Sequence, residues 1–326
     1  KNFEDLIRVQ LIEPIDENLL SKKIKKVGLI NNIISQKVKS QYEENPFPRW
    51  KYGNHIKGSN MYFKKHINYE ISPNYINFLE TNNQIKVLVA GCGTGNQILH
   101  TQLYKNSSIT AIDLSSSSLA FAQRKINELN IKNVELIQMD LLEIDLLEKN
   151  FDIIICSGVL HHMNNPSEGL KALLNNLKPD GFLKLGLYSQ IARREITEAK
   201  RYIAKKKYGF NVNGIKSFRD DVFSGDFQQI KNLKNWGDIY SMSECRDLCF
   251  HIQEHTFTIQ QIQKTLHTNK LNFLGFLLPQ SIKSVYQRYF PEDTTQTNLQ
   301  NWAKFEEKHT NTFRSMYQFW VSKKEN

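Results

Sequence analysis

From residue 85 the chain alternates two hydrophobic periods. Short aliphatic runs, KVLVAG, SITAID, VELIQMD, FDIIICSG and GFLKLGLYS, are separated by stretches such as SSSLAFAQRKINEL and PSEGLKALLNNL, whose apolar residues recur every three or four positions. Uninterrupted aliphatic runs of this length read as strands buried on both faces, and the amphipathic stretches as the helices that cover them. Strand, loop, helix, strand in this order predicts a doubly wound α/β fold with a mostly parallel sheet and right-handed crossovers.

The flanks follow other patterns. Residues 1–44 read as helical, with Leu29, Ile30, Ile33, Ile34 and Val38 at helical spacing on an otherwise polar segment. NPFPRWKYGNH then places two prolines around Phe47, with Trp50 and Tyr52 close behind, which predicts a stiff aromatic turn. After residue 188 the alternation stops in a basic, helix-prone segment. It resumes with FTIQQIQKTLHTN as a helix and LNFLGFLL as a strand, and MYQFWVSK closes the chain as another. The expected organisation is a helical extension and aromatic turn over 1–70, then one domain over 71–326 with helical cap insertions at about 188–256 and 279–313.

Composition narrows the class. With 326 residues and 40% hydrophobic content the chain can bury a sizeable core. No run approaches the roughly 18 to 20 apolar residues of a membrane span, and the N-terminus lacks a signal-peptide core, so a cytoplasmic protein is expected. A start at Lys1 rather than Met suggests a piece of a longer chain. Cys92, Cys156, Cys245 and Cys249 lie in or beside apolar segments and are expected as reduced thiols. The formal charge of +10 is spread along the chain and does not by itself identify a nucleic-acid partner. A cluster at Arg193, Arg194, Lys200, Arg201, Lys205, Lys206 and Lys207 would suit an anionic substrate or RNA backbone, but no RNA-binding module signature accompanies it and a solvated helix face is the preferred reading.

The chemistry concentrates after the first aliphatic run. Gly91, Gly93 and Gly95 leave the backbone uncovered where a strand passes into a helix, the place where open α/β sheets take their ligands. A dinucleotide fingerprint needs Gly or Ala where this chain has Asn96, which disfavours NAD. Asp113 ends the second run, where a carboxylate reaches ribose hydroxyls. Met139 and Asp140 end the third and Ser157 and Gly158 the fourth, so an adenosine-type ligand without a pyrophosphate is expected.

VLVAGCGTGNQIL, ITAIDLSSSSLAFAQRK, MDLLEID and FDIIICSGVLHHMNNPSEGLKALLNNLKPDGFLKLGLYS, in that order, resemble the motifs of class I S-adenosylmethionine-dependent methyltransferases of the ubiquinone-biosynthesis-like type. The flanks SQKVKSQYEENPFPRW, CFHIQEHTFT and MYQFWVSK are similar to bacterial methyltransferases that follow tetratricopeptide-repeat regions. The resemblance implies a seven-stranded sheet of order 3-2-1-4-5-7-6, with S-adenosylmethionine as cofactor and S-adenosylhomocysteine as product. It sets Gly91, Cys92, Gly93, Thr94 and Gly95 against the methionine part, and Asp113 with Leu114 at the ribose. Asp140 and Leu141 meet the adenine, and Ser157, Gly158, Val159 and Leu160 the sulfonium side.

His161, His162 and His255 are the candidate catalytic residues, and Tyr42, Tyr52, Tyr188 and His251 the candidate substrate pocket. Cys245, Cys249, His251 and His255 are spaced as zinc ligands sometimes are, but on one helix they do not converge, and no metal is expected. The aromatic turn and CFHIQEH are expected to meet over the sulfonium side, with Tyr42, His161 and one of His251 and His255 lining one enclosed pocket. The function expected is methyl transfer to a small-molecule or peptide nucleophile, without a membrane partner and with the oligomeric state open. The alternative is a non-catalytic scaffold module.

Overall fold

In a computed structural model, described over residues 2–53, 61–78 and 83–324, the predicted aliphatic runs are all strands. Lys1, and Asn54 and His55 at the end of the aromatic turn, lie outside the described residues. The strands are β1 (Lys25–Lys26), β2 (Ile85–Ala90), β3 (Ser107–Asp113), β4 (Val134–Gln138), β5 (Phe151–Ser157), β6 (Leu177–Leu187), β7 (Leu271–Phe276) and β8 (Tyr317–Lys323). They form one sheet in the order β1-β4-β3-β2-β5-β6-β8-β7. All neighbours are parallel except β8, which runs antiparallel between β6 and β7.

The sheet thus has eight strands rather than the expected seven. The extra one is β1, two exposed lysines pairing with Ile137 and Gln138 at the edge. Without it, the remaining seven keep the expected neighbours. The N-terminal segment is correspondingly not one helical run: helices over residues 2–21 and at Ile33–Glu44 are separated by β1 and by Gly28, which has φ +70°. Asn32 starts the second of these helices, its side chain accepting from the N–H groups of Ile34 and Ser35.

Alternate residues of the central strands feed two cores. Val87 and Val89 pack with Ile67, Leu119 and Ala122 on one face, while Leu88 and Ala90 pack with Leu170, Leu173 and Ile262 on the other. The period-two split is what a strand covered by helices on both sides requires. A third core lies wholly within the segment after β6: Ile196, Tyr202, Phe218, Trp236, Cys245 and Phe250 draw together helices Arg194–Lys206, Val212–Ser224 and Met242–Cys249. That segment is a small helical unit of its own. By contrast, residues 279–313, expected as a second cap, bury Tyr286, Trp302, Phe305 and Phe313 in the main core, with Tyr286 stacked on Trp302 at 3.8 Å. Those residues thicken a face of the sheet instead of capping its end.

The N-terminal helices are pinned by charge. Arg124, on helix Ser116–Glu128, meets Glu13, Glu17 and Glu128, and Glu17 also receives Arg49. No helix among the described residues is long and apolar enough to cross a membrane.

Candidate active site

The three glycines have different reasons to be glycine. All have positive φ, at +67°, +51° and +87° for Gly91, Gly93 and Gly95. A Cβ on Gly91 would stand 2.2 Å from Val159, and one on Gly95 2.9 Å from Ala122, so at those two positions the chain itself occupies the space. At Gly93 the nearest atom is the Phe47 carbonyl oxygen, 3.4 Å away. Of the three, only Gly93 has open space where a side chain would project. Its N–H donates to Asp113 Oδ2 at 2.8 Å, and Asp113 Oδ1 accepts from Ser115 N at 2.9 Å. Burial pushes the Asp113 carboxyl above its ordinary value, partly offset by these two donors.

Gly93 lines a hollow, a cavity of about 310 Å³ at the carboxyl ends of β2, β3, β4 and β5. From β2 and its loop come Gly91, Cys92, Gly93 and Thr94; from the ends of β3 and β4 come Asp113, Leu114, Asp140 and Leu141; from β5 come Ser157, Gly158 and Val159. Asp140 also caps the turn that follows it, accepting from Leu142 N at 3.0 Å. Gly95 is the one residue of the predicted cofactor set outside the lining, because its left-handed turn serves the helix contact with Ala122. Leu160, expected beside that set, is buried in the main core.

The roof comes from distant segments. Tyr42 from helix Ile33–Glu44, Phe47 and Pro48 from the aromatic turn, Tyr188 after β6 and Asp247 from the helical unit all face the cavity. Pro48 accepts from Thr94 Oγ1 at 2.6 Å, and Trp50 donates to the Thr94 carbonyl at 3.2 Å. Tyr42 donates to Asp247 Oδ1 at 2.8 Å. Burial raises the Asp247 carboxyl to about 6, against the lowering effect of the Tyr42 bond.

The aromatic turn reaches the cavity through Phe47 and Pro48, but no residue of CFHIQEH lines it; Asp247, just before that segment, does, and the histidines are placed differently from expectation. His162 alone faces the cavity. Its Nδ1 lies 2.7 Å from the Gln253 carbonyl, which fixes the proton on that nitrogen, and its ring stacks on His251 at 3.6 Å. His251 lies behind His162. His161 lies behind Tyr188, stacked on it at 3.8 Å, fully buried and with no hydrogen bond to either ring nitrogen. Burial, and next the charge of Arg193, hold the His161 imidazole well below its ordinary value; burial and His161 do the same to His162. His255 is turned away, its Nε2 bonded to the Met163 carbonyl at 3.0 Å. Tyr52, expected in the substrate pocket, is 84% exposed and remote from the lining.

Several contributors left little trace in sequence. Asp247 sits between two core cysteines, and only its placement on the polar side of a short amphipathic helix separates it from a solvated carboxylate. Gln97 holds the end of β5 by donating to the Ser157 carbonyl at 2.9 Å. Glu43 accepts from four donor groups, the N–H and hydroxyl of both Ser116 and Ser117. Glu254 gathers Arg193 and Lys200 into a largely buried knot, which uses up two cations of the basic cluster. Cys245 and Cys249 are buried free thiols in the helical unit, and among the described residues no group of His, Cys, Asp and Glu is arranged to hold a metal.

Residues 87–181 match the family described as a methyltransferase domain. Over those residues the chain carries a methyltransferase domain. It is 32% identical over 203 residues to an uncharacterized protein of Synechococcus sp., covering 59% of this chain and 48% of that one. It is 27% identical over 219 residues to the malonyl-[acyl-carrier protein] O-methyltransferase of Priestia megaterium, covering 66% of this chain and 72% of the relative. Among solved structures it is similar to PKMT2 from Rickettsia typhi, also solved in complex with AdoHcy. That complex aligns with a TM-score of 0.58 at 20% identity, over 86% of this chain and 55% of the other. This chain thus spans about half the length of two of these relatives.

Proposed function

We propose that the chain is an S-adenosylmethionine-dependent methyltransferase whose cofactor occupies the 310 Å³ cavity and whose acceptor enters beneath the roof. The observation that carries this reading is the meeting of Gly93, Asp113, Asp140 and Ser157–Val159 around one hollow of ligand size, at the carboxyl edge of adjacent parallel strands. The cavity suits the cofactor chemically. Asp113 has lone pairs left for ribose hydroxyls after accepting its two N–H groups, Asp140 Oδ2 has no donor among the described residues, and Met139 and Leu141 give apolar cover for a purine. When bound, S-adenosylmethionine supplies an electrophilic methyl group on a sulfonium.

The protein's own part is positioning and exclusion of water. Gly93 admits the ligand, Asp113 and Asp140 orient it, and the roof of Tyr42, Tyr188 and His162 shields the transfer end. The acceptor is a small molecule or peptide. Residues 1–70 serve as an extension closing the cavity of a catalytic domain over 71–326, in an enzyme of the ubiquinone-biosynthesis-like, tetratricopeptide-repeat-associated kind that works in the cytoplasm. Calorimetric titration with S-adenosylhomocysteine and then NAD tests the reading: saturable binding of the first alone is expected. Binding of neither would leave a scaffold module, and binding of NAD would overturn the cofactor assignment.

A further inference from the structure

We propose that Asp247 accepts the proton released by the methyl acceptor, which makes the acceptor a nucleophile with a proton to lose, such as an O–H or N–H group, and not a thioether. The proposal rests on the methyltransferase reading above. Three carboxylates face the cavity, and two lie on the strand side, where the cofactor is proposed to bind: Asp113, which accepts from Gly93 N and Ser115 N, and Asp140, which accepts from Leu142 N. Asp247 comes from the roof. It takes one bond, from Tyr42 to Oδ1 at 2.8 Å, and Oδ2 has no donor among the described residues. It is therefore aimed into the hollow with a free acceptor position.

The other titratable groups of the roof are poorer proton acceptors. His162 spends Nδ1–H on the Gln253 carbonyl, and burial and His161 make its remaining nitrogen weakly basic. Burial pushes the Tyr42 and Tyr188 phenols up, so both stay protonated. Around Asp247, Tyr42 and Arg193 favour the carboxylate, while Glu254, Asp238 and the burial itself oppose it. Tyr188 faces the same group. The balance leaves Asp247 near 6, ionised at neutral pH yet basic enough to hold a proton. In the transfer, the acceptor's lone pair forms the bond to the methyl carbon, and the carbon–sulfur bond breaks with its electron pair left on sulfur. The acceptor's proton passes to Asp247 Oδ2 and from there to water.

Asp247→Asn retains an oxygen for Tyr42 and removes the charge. In the full chain, affinities for S-adenosylmethionine, a cation, and S-adenosylhomocysteine, its neutral counterpart, are measured by calorimetry from pH 5 to 8. The wild-type preference for the cation is expected to grow several-fold as pH rises through about 6, and in the variant to stay flat. Asp113 acts on both ligands and cancels in the ratio. Release of S-adenosylhomocysteine with methylamine and phenol as model acceptors is expected to fall by about 10²–10⁴ in the variant. A wild-type preference that ignores pH, a variant that keeps the wild-type pH dependence, or a variant that transfers at the wild-type rate overturns the proposal. If neither ligand binds the wild-type chain, the methyltransferase reading fails first, and that result is distinct from the others.

Discussion

The floor and the roof of the cavity are made of different materials. On the floor, glycines with positive φ shape the loop, the Asp113 carboxylate accepts from Gly93 N and Ser115 N, and residues within 70 positions of each other supply the lining from Gly91 to Val159. On the roof, helix Ile33–Glu44 and the start of the aromatic turn are joined to the helical unit by side chains, Tyr42 to Asp247 and Asn45 to Ser243, while Arg193 pairs with Glu254 within the segment after β6. A backbone-built surface has one shape and tolerates no added atoms. A roof held by side-chain bonds keeps its shape only while its buried charges stay paired. The comparison teaches that cofactor affinity and stability answer to different residues.

The harshest test of the floor is Gly93→Val. A β-branched residue at φ +51° strains the loop and places carbon where the ligand must lie, so S-adenosylhomocysteine binding is expected to vanish from calorimetry while the far-ultraviolet circular dichroism stays native. Native affinity in a folded variant breaks the floor assignment. On the roof, Arg193→Ala leaves Glu254 buried with only Lys200. Removing one partner of such a pair costs about 3–5 kcal/mol of stability, to be read as a lowered urea midpoint. A change below about 1 kcal/mol would show that the roof does not depend on that pair.

Asp113→Ala is expected to reverse the pattern. Cofactor affinity should drop by about 1.5–3 kcal/mol, the range for bonds to a charged group, with the urea midpoint nearly unmoved. Unchanged affinity would remove Asp113 from the site. The smallest effect is that of Tyr42→Phe, which deletes the one donor to Asp247 and should raise that carboxyl above about 6. Because its folded value lies above the unfolded one near 3.9, Asp247 contributes stability that is complete at low pH and lost as pH rises through about 6. In Tyr42→Phe the loss should move to higher pH, visible in a carbon-13 titration of the aspartate side chains and in stability curves against pH.

What could be read from sequence follows the same division. Strands β2 to β6 and their terminal residues were legible because aliphatic runs and glycines within one βαβ series carry their meaning locally. Even so, the sequence signal could not separate Gly93, which faces the hollow, from Gly95, which makes room for Ala122. The roof was legible only as two aromatic- and histidine-rich segments. Its key contact joins residues 205 positions apart, and no local pattern encodes such a pairing. His161 and His162 are adjacent in sequence yet one stands behind Tyr188 and the other faces the cavity, a difference set by packing from the helical unit. Strand β1 escaped notice because two lysines have no hydrophobic period at all.

The clasp at Glu43 has a consequence for rates. Helix Ile33–Glu44 lays Ser35, Val38 and Tyr42 across the cavity and is fastened at its end by Glu43, whose carboxylate accepts from four donor groups of Ser116 and Ser117. Burial pushes that carboxyl up, but the serine donors outweigh it and leave it below its ordinary value. A ligand that exchanges past this helix would meet those bonds as a kinetic barrier: loosening them, as in Ser116→Ala with Ser117→Ala, should speed both arrival and departure while leaving the equilibrium constant nearly where it was.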